Sequence, residues 1–482
     1  MALSGLAAGT LAGCGKGYTA QEPNNPRVGD FGVPSWLGEA PVIEESLITE
    51  TVETEVLVVG VGTGGIPAMI SAAENGARVL GIDRQNSPRN VREDIGAVDS
   101  HLQQASFEEF PQFRIDKTNI VQEIATYANG FVNYDLVKLW ANESGAMIDW
   151  LTDIIQRDGK MVMEFEGGVG NIDGPGIRKA FATGHSPQPT ELADEEWGFA
   201  ESILAYAAEQ GAEVRWRTEF IKCEQDESGR VTGVIARAVD DDRHYLRINA
   251  SKGVILSTGG YGEQPFLKLN LKGERFCNES GPYDYMLHAA YMQPHHTYVD
   301  IWDANHAEQA EMMDEVGCCR LFPFDNGARN NIPMAVVDGM IEKLIEDGYV
   351  QKADTMEELA QKLNLPVEAT VASWQRYNEF AANGEDTDYW KEPHRLLPLT
   401  TPPFYGVRTG AWFLATIDGV SIDTNMHPTD ADGNPIQGLY LTGNDSGGFF
   451  SVSYPNLMTG LACGRTMTFG RRAGMLAATG QA

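Results

Sequence analysis

The sequence predicts an α/β protein built on a nucleotide-binding βαβ unit, and three stretches predict it. A short apolar, β-branched run at residues 55–59 leads into Gly60-Val61-Gly62-Thr63-Gly64-Gly65, a helical stretch, and a second strand ending at Asp83. A third strand, 253–257, runs into Thr258-Gly259-Gly260. Near the far end, Gly438-Leu439-Tyr440-Leu441-Thr442-Gly443-Asn444-Asp445 repeats the form of a strand entering a glycine turn. Strands alternating with helices are the pattern of a parallel sheet covered by helices.

Taken in order, residues 2–13 are small and apolar, and Cys14 follows directly. Leu11-Ala12-Gly13-Cys14 resembles the bacterial lipobox, whose cysteine carries lipid after cleavage. The run is too short to span a bilayer but suits the core of a signal peptide. Residues 1–14 are therefore expected to be a truncated lipoprotein signal. That makes the protein an exported one, anchored on the extracytoplasmic face only through a lipid on Cys14; without the lipid it is cytoplasmic. Residues 15–49, rich in Pro, Gly, Asn and Glu with no period, read as a linker.

From residue 54 the pattern becomes globular. Residues 66–75 form a helix stopped by Gly76, and 77–83 the second strand. Helices are expected at 135–156 and 196–210, strands at 213–218, 229–239, 245–248 and 253–257, then helices at 336–346, 356–363 and 366–383. Strands at 417–423 and 438–442 precede a closing helix at 457–475. With 482 residues the chain exceeds one simple core, so two domains are expected.

A net charge of −32 repels nucleic acid and anionic lipid and excludes both as natural partners. The six cysteines form no C-x-x-C, which argues against an iron–sulfur cluster, a zinc ribbon or a c-type haem, so no metal site is expected.

The glycines carry the first chemistry. Gly60 permits a tight turn, Gly62 lets backbone approach a pyrophosphate, and Gly65 allows close helix–strand packing, with Gly64 between them. A pyrophosphate then sits on the helix N-terminus, where free N–H groups and the dipole favour an anion. Asp83 is placed to accept a hydrogen bond from a ribose, with Arg84 beside it. The 435–445 segment resembles the flavoprotein "IPGLYAAGE" stretch along a ribityl chain, with Asn444 in place of the usual Glu. Thr258-Gly259-Gly260-Tyr261 resembles the "ATGGY" strand end of the same proteins. All three segments point to FAD.

Together they resemble the fumarate reductase/succinate dehydrogenase flavoprotein superfamily, over roughly residues 53–475. The most specific piece is Gly273-Glu274-Arg275-Phe276-Cys277-Asn278-Glu279-Ser280, which matches "GxRFxNE"; Gly470-Arg471-Arg472-Ala473-Gly474 matches the closing helix. The resemblance implies a three-layer, Rossmann-like FAD-binding domain (50–262 and 401–482) with an inserted α+β capping domain (263–400). That fold is shortened relative to the family, because only twelve residues separate Gly260 from Gly273. It also implies that Asp94, Gly96 and Ala97 stand against the flavin ring and that Asp445, Thr459, Gly460 and Leu461 complete the cofactor site. Arg275 and Glu279 would brace the junction of cap and FAD domain, and His185 would lie near the flavin. His295, His296 and His306 belong to the cap and are read first as structural.

Departures from the fumarate reductases define the substrate expectation. Tyr283 holds the place of the proton-donating arginine, Ala415 that of a carboxylate-binding histidine, and 453–456 (Ser-Tyr-Pro-Asn) carries no arginine clamp. A dicarboxylate needs cationic partners on desolvation. Glu279-Ser280-Gly281-Pro282-Tyr283 and Tyr454-Pro455 instead resemble 3-ketosteroid dehydrogenases and gut-bacterial FAD-dependent reductases. The expectation is an FAD-dependent enzyme acting on CH–CH bonds that reduces an activated, enone-type C=C bond in a neutral hydrophobic small molecule, with Tyr283 and Tyr454 catalytic. No second nucleotide fold or cluster is visible, so an external electron donor or acceptor is implied. Two alternatives stand beside it: a ketosteroid-type dehydrogenase running oxidatively, and an inactive flavin-binding relative.

Overall fold

The computed structural model describes residues 41–88, 91, 93–167, 179–193, 198–239, 244–257, 267–280, 283–312, 334–410, 419–451, 453–455 and 458–480. The first half comprises β1 (Ile48–Val59), α1 (Gly65–Glu74), β2 (Val79–Ile82), β3 (Ile95–Gly96), α2 (His101–Ala105), α3 (Lys117–Tyr127), α4 (Tyr134–Gln156), β4 (Met161–Gly167), β5 (Gly184–Pro189) and α5 (Phe199–Glu209). Then come β6 (Glu213–Arg215), β7 (Thr218–Gln225), β8 (Val231–Ala238), β9 (Tyr245–Leu256), β10 (Leu267–Asn270), α6 (Tyr283–Tyr291), β11 (Thr297–Trp302), α7 (His306–Met312) and α8 (Met334–Glu346). The chain closes with β12 (Val350–Ala353), α9 (Met356–Lys362), α10 (Val367–Asn383), β13 (Phe404–Gly410), β14 (Val420–Ser421), β15 (Leu439–Leu441), β16 (Ser446–Gly447) and α11 (Leu461–Thr479).

The main sheet runs β6-β2-β1-β9-β8-β7, with β15 pairing the end of β9 beyond the stretch that β8 covers. Its centre is parallel: β2, β9 and β15 all run with β1, in registers such as Val58↔Gly81 and Val58↔Ile255. The apolar end of β1 is buried on both faces, as a central parallel strand must be. Val56 and Val58 face α1, α4 and α11, while Leu57 and Val59 face Val231, Val234 and Ala236 of β8. This three-layer domain carries a small antiparallel sheet, β3-β5-β4. The second domain is an antiparallel sheet, β10-β11-β13-β12, covered by α9 and α10 through Leu359, Leu363, Tyr377 and Phe380. It meets the first where Tyr285 of α6 packs on buried Tyr127 of α3, their rings 5.9 Å apart.

Four expectations are corrected. The linker does not extend to 49, because Ile48 already pairs with Tyr245 at the start of β1; alternating Thr and Glu disguise that half-buried end. The strands expected at 245–248 and 253–257 are one strand, β9, kept continuous by β1 alongside. β7 was hidden by its charges, Glu219, Lys222 and Glu224, which suit an edge strand. β13 pairs with β11 and β12, so the cap continues to 410 rather than ending at 400.

Candidate functional site

Four strand ends converge on the glycine turn, at the carboxyl edge where open α/β sheets bind ligands. Gly60 N–H donates to Ile82 O (2.9 Å), Ser257 N–H to Val59 O (3.1 Å) and Thr442 N–H to Leu256 O (3.0 Å). Gly60 has φ +94°, and a Cβ there would stand 2.3 Å from Ser257 O. A Cβ on Gly65 would stand 1.8 Å from Gly60 O, and on Gly64 2.5 Å from Ser257 Oγ. A Cβ on Gly62 would meet nothing within 4 Å: the turn opens there, in front of the α1 N-terminus. The half-buried Asp83 carboxylate accepts from Val61 N–H (2.9 Å) and Gln85 N–H (2.8 Å), tying the end of β2 to the turn. Arg84 is exposed. Thr258, Gly259 and Gly260 lie outside the described residues.

The second half of the site is built on glycine contacts with α11. Gly460 caps this helix with φ +71°. Gly460 O accepts from Gly96 N–H (2.8 Å), and a Cβ on Gly464 would lie 1.7 Å from Gly96 O. Further along, Gly470 and Gly474 press on α1, where a Cβ would come within 2.2 Å of Gly64 O and Ala68 O respectively. Gly96, Ala97, Thr459, Gly460 and Leu461 are thereby brought together, with α11 packed against the turn carrying Asn444 and Asp445. Asp94 backbone touches Gly460.

Behind this lies a polar layer that nothing in the sequence signalled, because its members come from distant segments. Ala97 N–H donates to Thr183 O (2.9 Å), Thr183 Oγ1 to Thr459 O (2.8 Å), and Val98 N–H to Ser144 Oγ (3.0 Å). His185 belongs to this layer. Burial pushes its pKa down to about 4, against the opposing effect of its bonds to Thr183 O and Ile95 O, so it is neutral at pH 7. Nδ1–H donates to Thr183 O (2.9 Å), and Nε2 accepts from the Ser100 hydroxyl (2.7 Å). It is a buried, hydrogen-bonded core histidine. Arg465, also missed, lies fully buried in α11 among Phe449, Phe450 and Phe469.

In the cap, Arg275 bonds both oxygens of Glu279 (2.9 and 2.8 Å) and both of Asp386 (3.1 and 2.9 Å), with Lys391 Nζ 3.7 Å from Glu279. Burial would raise the Glu279 pKa, but the Lys391 charge and the Arg275 bonds outweigh it and hold it low. The expected brace between domains is thus a brace within the cap, fixing the strand–loop ahead of α6 onto the 386–391 loop. Tyr283 is the first residue of α6. Tyr454 is half-buried, its ring 5.2 Å from that of Phe450. The structure thus places Tyr454 on the α11 side and the Tyr283 backbone on the cap side. His295 and His296 sit on an exposed outer turn, and His306 pairs with Asp338 (3.1 Å), both as structural groups. Ala415 lies outside the described residues. Burial pushes the thiols of Cys223 and Cys277 up to about 11 and about 12, so both stay protonated.

Two features fit a bound dinucleotide: the cradle at Gly62, and Thr459 Oγ1, which is buried without a hydrogen-bond partner among the described residues. The model of the family described as "FAD binding domain" matches residues 55–270 and 266–456. The chain belongs to that family. FAD is its cofactor, and the protein is an FAD-dependent oxidoreductase. It is 25% identical to a vinyl phenol reductase of Lactiplantibacillus plantarum, over 88% of this chain and 96% of the relative. It is 24% identical to a cytochrome-type fumarate reductase of Shewanella frigidimarina, over 93% of this chain and 80% of the relative. In fold it is similar to the 3-ketosteroid Δ1-dehydrogenase of Sterolibacterium denitrificans, with a TM-score of 0.66, 16% identity, and coverage of 89% of this chain and all of the other.

Proposed function

We propose that this protein reduces an activated C=C bond in a neutral, hydrophobic small molecule such as an enone or plant phenolic, using electrons from an external donor. FAD when bound supplies the hydride. The chain must then hold the substrate, stabilise the negative charge growing on its oxygen, and deliver one proton. Tyr454 is assigned the first electrostatic role: a phenol donates a hydrogen bond without needing a counter-charge, and the α11 N-terminus lies five to seven residues further on. Tyr283 is assigned proton delivery to the α-carbon; a phenol with pKa about 10 is protonated at neutral pH. The Arg275–Glu279–Asp386 brace holds the segment that leads to it.

The observation that carries this reading is Tyr454: half-buried, packed on Phe450, on the chain that leads to the Thr459–Leu461 helix start. Similarity to a vinyl phenol reductase along nearly that whole protein supports the substrate class. Reduced viologen with a panel of enones, vinyl phenols and dicarboxylates tests it. Enones or vinyl phenols should turn over, and Tyr454→Phe should cost about 10²–10³ in kcat. Turnover of fumarate alone would overturn the substrate class, and dye-linked oxidation of saturated ketones without any reduction would reverse the direction. The reading includes export with a lipid on Cys14, tested by lipid labelling of the full chain against Cys14→Ala.

A further inference from the structure

Arg465 is 1% exposed. Its guanidinium carbon lies 5.5, 5.0 and 5.8 Å from the ring centroids of Phe449, Phe450 and Phe469. Nη1 donates to Ser446 O (3.2 Å) and Ser446 Oγ (2.9 Å), and Ser446 Oγ donates in turn to Gly443 O (2.7 Å). The cation therefore reaches the back of the 443–447 turn, the segment assigned to the cofactor. It does so from a position one turn inside α11, whose first turn meets Gly96.

Two costs attach to that placement. A guanidinium loses hydration on burial, and a cation near a helix N-terminus opposes the macrodipole. An apolar side chain would fill the space among three phenylalanines without either. The same helix start holds Thr459 Oγ1, 1% exposed and without a partner among the described residues. A buried cation bonded to the back of the 443–447 turn thus stands beside the helix start where the cofactor is to be met.

We propose that Arg465 stabilises the reduced, negatively charged form of the bound flavin and raises its midpoint potential. This rests on the assignment of 443–445 and 459–461 to the cofactor. Arg465 faces a change of one charge per turnover. Two electrons and one proton from the external donor make the cofactor one unit more negative, and loss of a hydride to the substrate restores it. Arg465 touches neither substrate nor reacting atoms; it is a positioning residue that acts through its field and through Ser446.

The test is spectroelectrochemical titration of the FAD-loaded protein without substrate, so failure of the enone assay leaves it unaffected. Arg465→Met, which removes charge and hydrogen bonds, and Arg465→Gln, which keeps a donor for Ser446, should each shift the reduction equilibrium about tenfold toward the oxidised form, about 30 mV for a two-electron couple. Arg465→Lys should stay within about threefold of the parent. Neutral variants that hold FAD at the parent potential would overturn the proposal. Where a neutral variant binds FAD weakly, its dissociation constants for oxidised and reduced FAD are compared. A loss tenfold larger for the reduced form supports the proposal; equal losses overturn it and leave Arg465 a purely structural brace.

Discussion

In the FAD domain, α11 meets its neighbours backbone to backbone: Gly464 on Gly96, Gly470 on Gly64, Gly474 on Ala68. In the cap, the corresponding junction is made by charges: Arg275 between Glu279 and Asp386 with Lys391 alongside, and Lys268 paired with Asp300 between β10 and β11. Glycine contacts are steric and indifferent to pH, and they leave no room for a single added carbon. Ion contacts tolerate small shifts of shape but fail when one partner is removed or neutralised. The nucleotide site needs the first kind, because backbone must approach the cofactor closely. The cap needs only to hold a loop and the start of α6 at a fixed angle.

The largest expected effect lies in the cap. Arg275→Met leaves Glu279 and Asp386 buried without their shared cation, a change expected to cost about 3–5 kcal/mol. Urea unfolding followed by the flavin spectrum and by far-UV signal should show the cap melting before the flavin is released; coincident transitions would mean that the two domains unfold as one unit. Next is Gly464→Ala. The added Cβ would lie 1.7 Å from Gly96 O, so β3 or α11 must move, at about 3 kcal/mol and with loss of bound FAD. A stable variant with full flavin absorbance would show that the α11–β3 contact is not needed for the site.

Acid weakens both regions, but in different pH windows. His185 is neutral in the fold with a pKa of about 4, against about 6.5 unfolded, so the unfolded chain takes up the proton first. The FAD domain should therefore lose up to about 3 kcal/mol as pH falls from about 6.5 to about 4. Glu279 and Asp386 are both held below their ordinary values: burial opposes this, and Lys391 and Arg275 outweigh it. The stability they give is present above about pH 4 and is lost only as pH falls further through their folded values. His185→Asn should flatten the first slope and leave the second. An unchanged slope between pH 6.5 and 4 would place the acid sensitivity elsewhere.

The same contrast explains what the sequence made legible. Glycine spacing announces backbone contact, so the 60–65 turn, the 443 turn and the closing helix could be read directly, and the parallel sheet followed from them. The residues that support the site carry no local signature. Ser100, Ser144 and Thr183 acquire meaning only when chain segments dozens to hundreds of residues apart meet, and Arg465 only when α11 folds back on the turn at Ser446. Asp386 is invisible for the same reason: nothing around it in the sequence says that it completes an ion cluster begun at Arg275. Strand ends coated in Thr and Glu, as in β1 and β7, were hidden because their apolar alternation is carried by few residues. Tyr454 was legible as a motif, but its packing on Phe450 was not.

The smallest effect sharpens the comparison by asking what a glycine would do where the cap lacks one. Trp390 has φ +55° and an indole 79% exposed. The loop forces this conformation. Asp386 Oδ1 accepts from the Asp388 and Tyr389 amides, Oδ2 from the Lys391 amide, and Trp390 N–H donates to Asp386 O (3.1 Å). Asn278 Nδ2 holds the Trp390 carbonyl (3.1 Å), a bond any residue would keep. A non-glycine residue in the left-handed region costs about 1–2 kcal/mol, and glycine recovers that less about 0.5–1 kcal/mol of unfolded-state entropy. Trp390→Gly should therefore raise cap stability by about 1 kcal/mol or somewhat less, read as a higher urea midpoint for the cap transition with an unchanged slope. Should it lower the midpoint instead, the exposed indole makes a contact worth more than its backbone strain, and the cap would be held by packing as well as by charge.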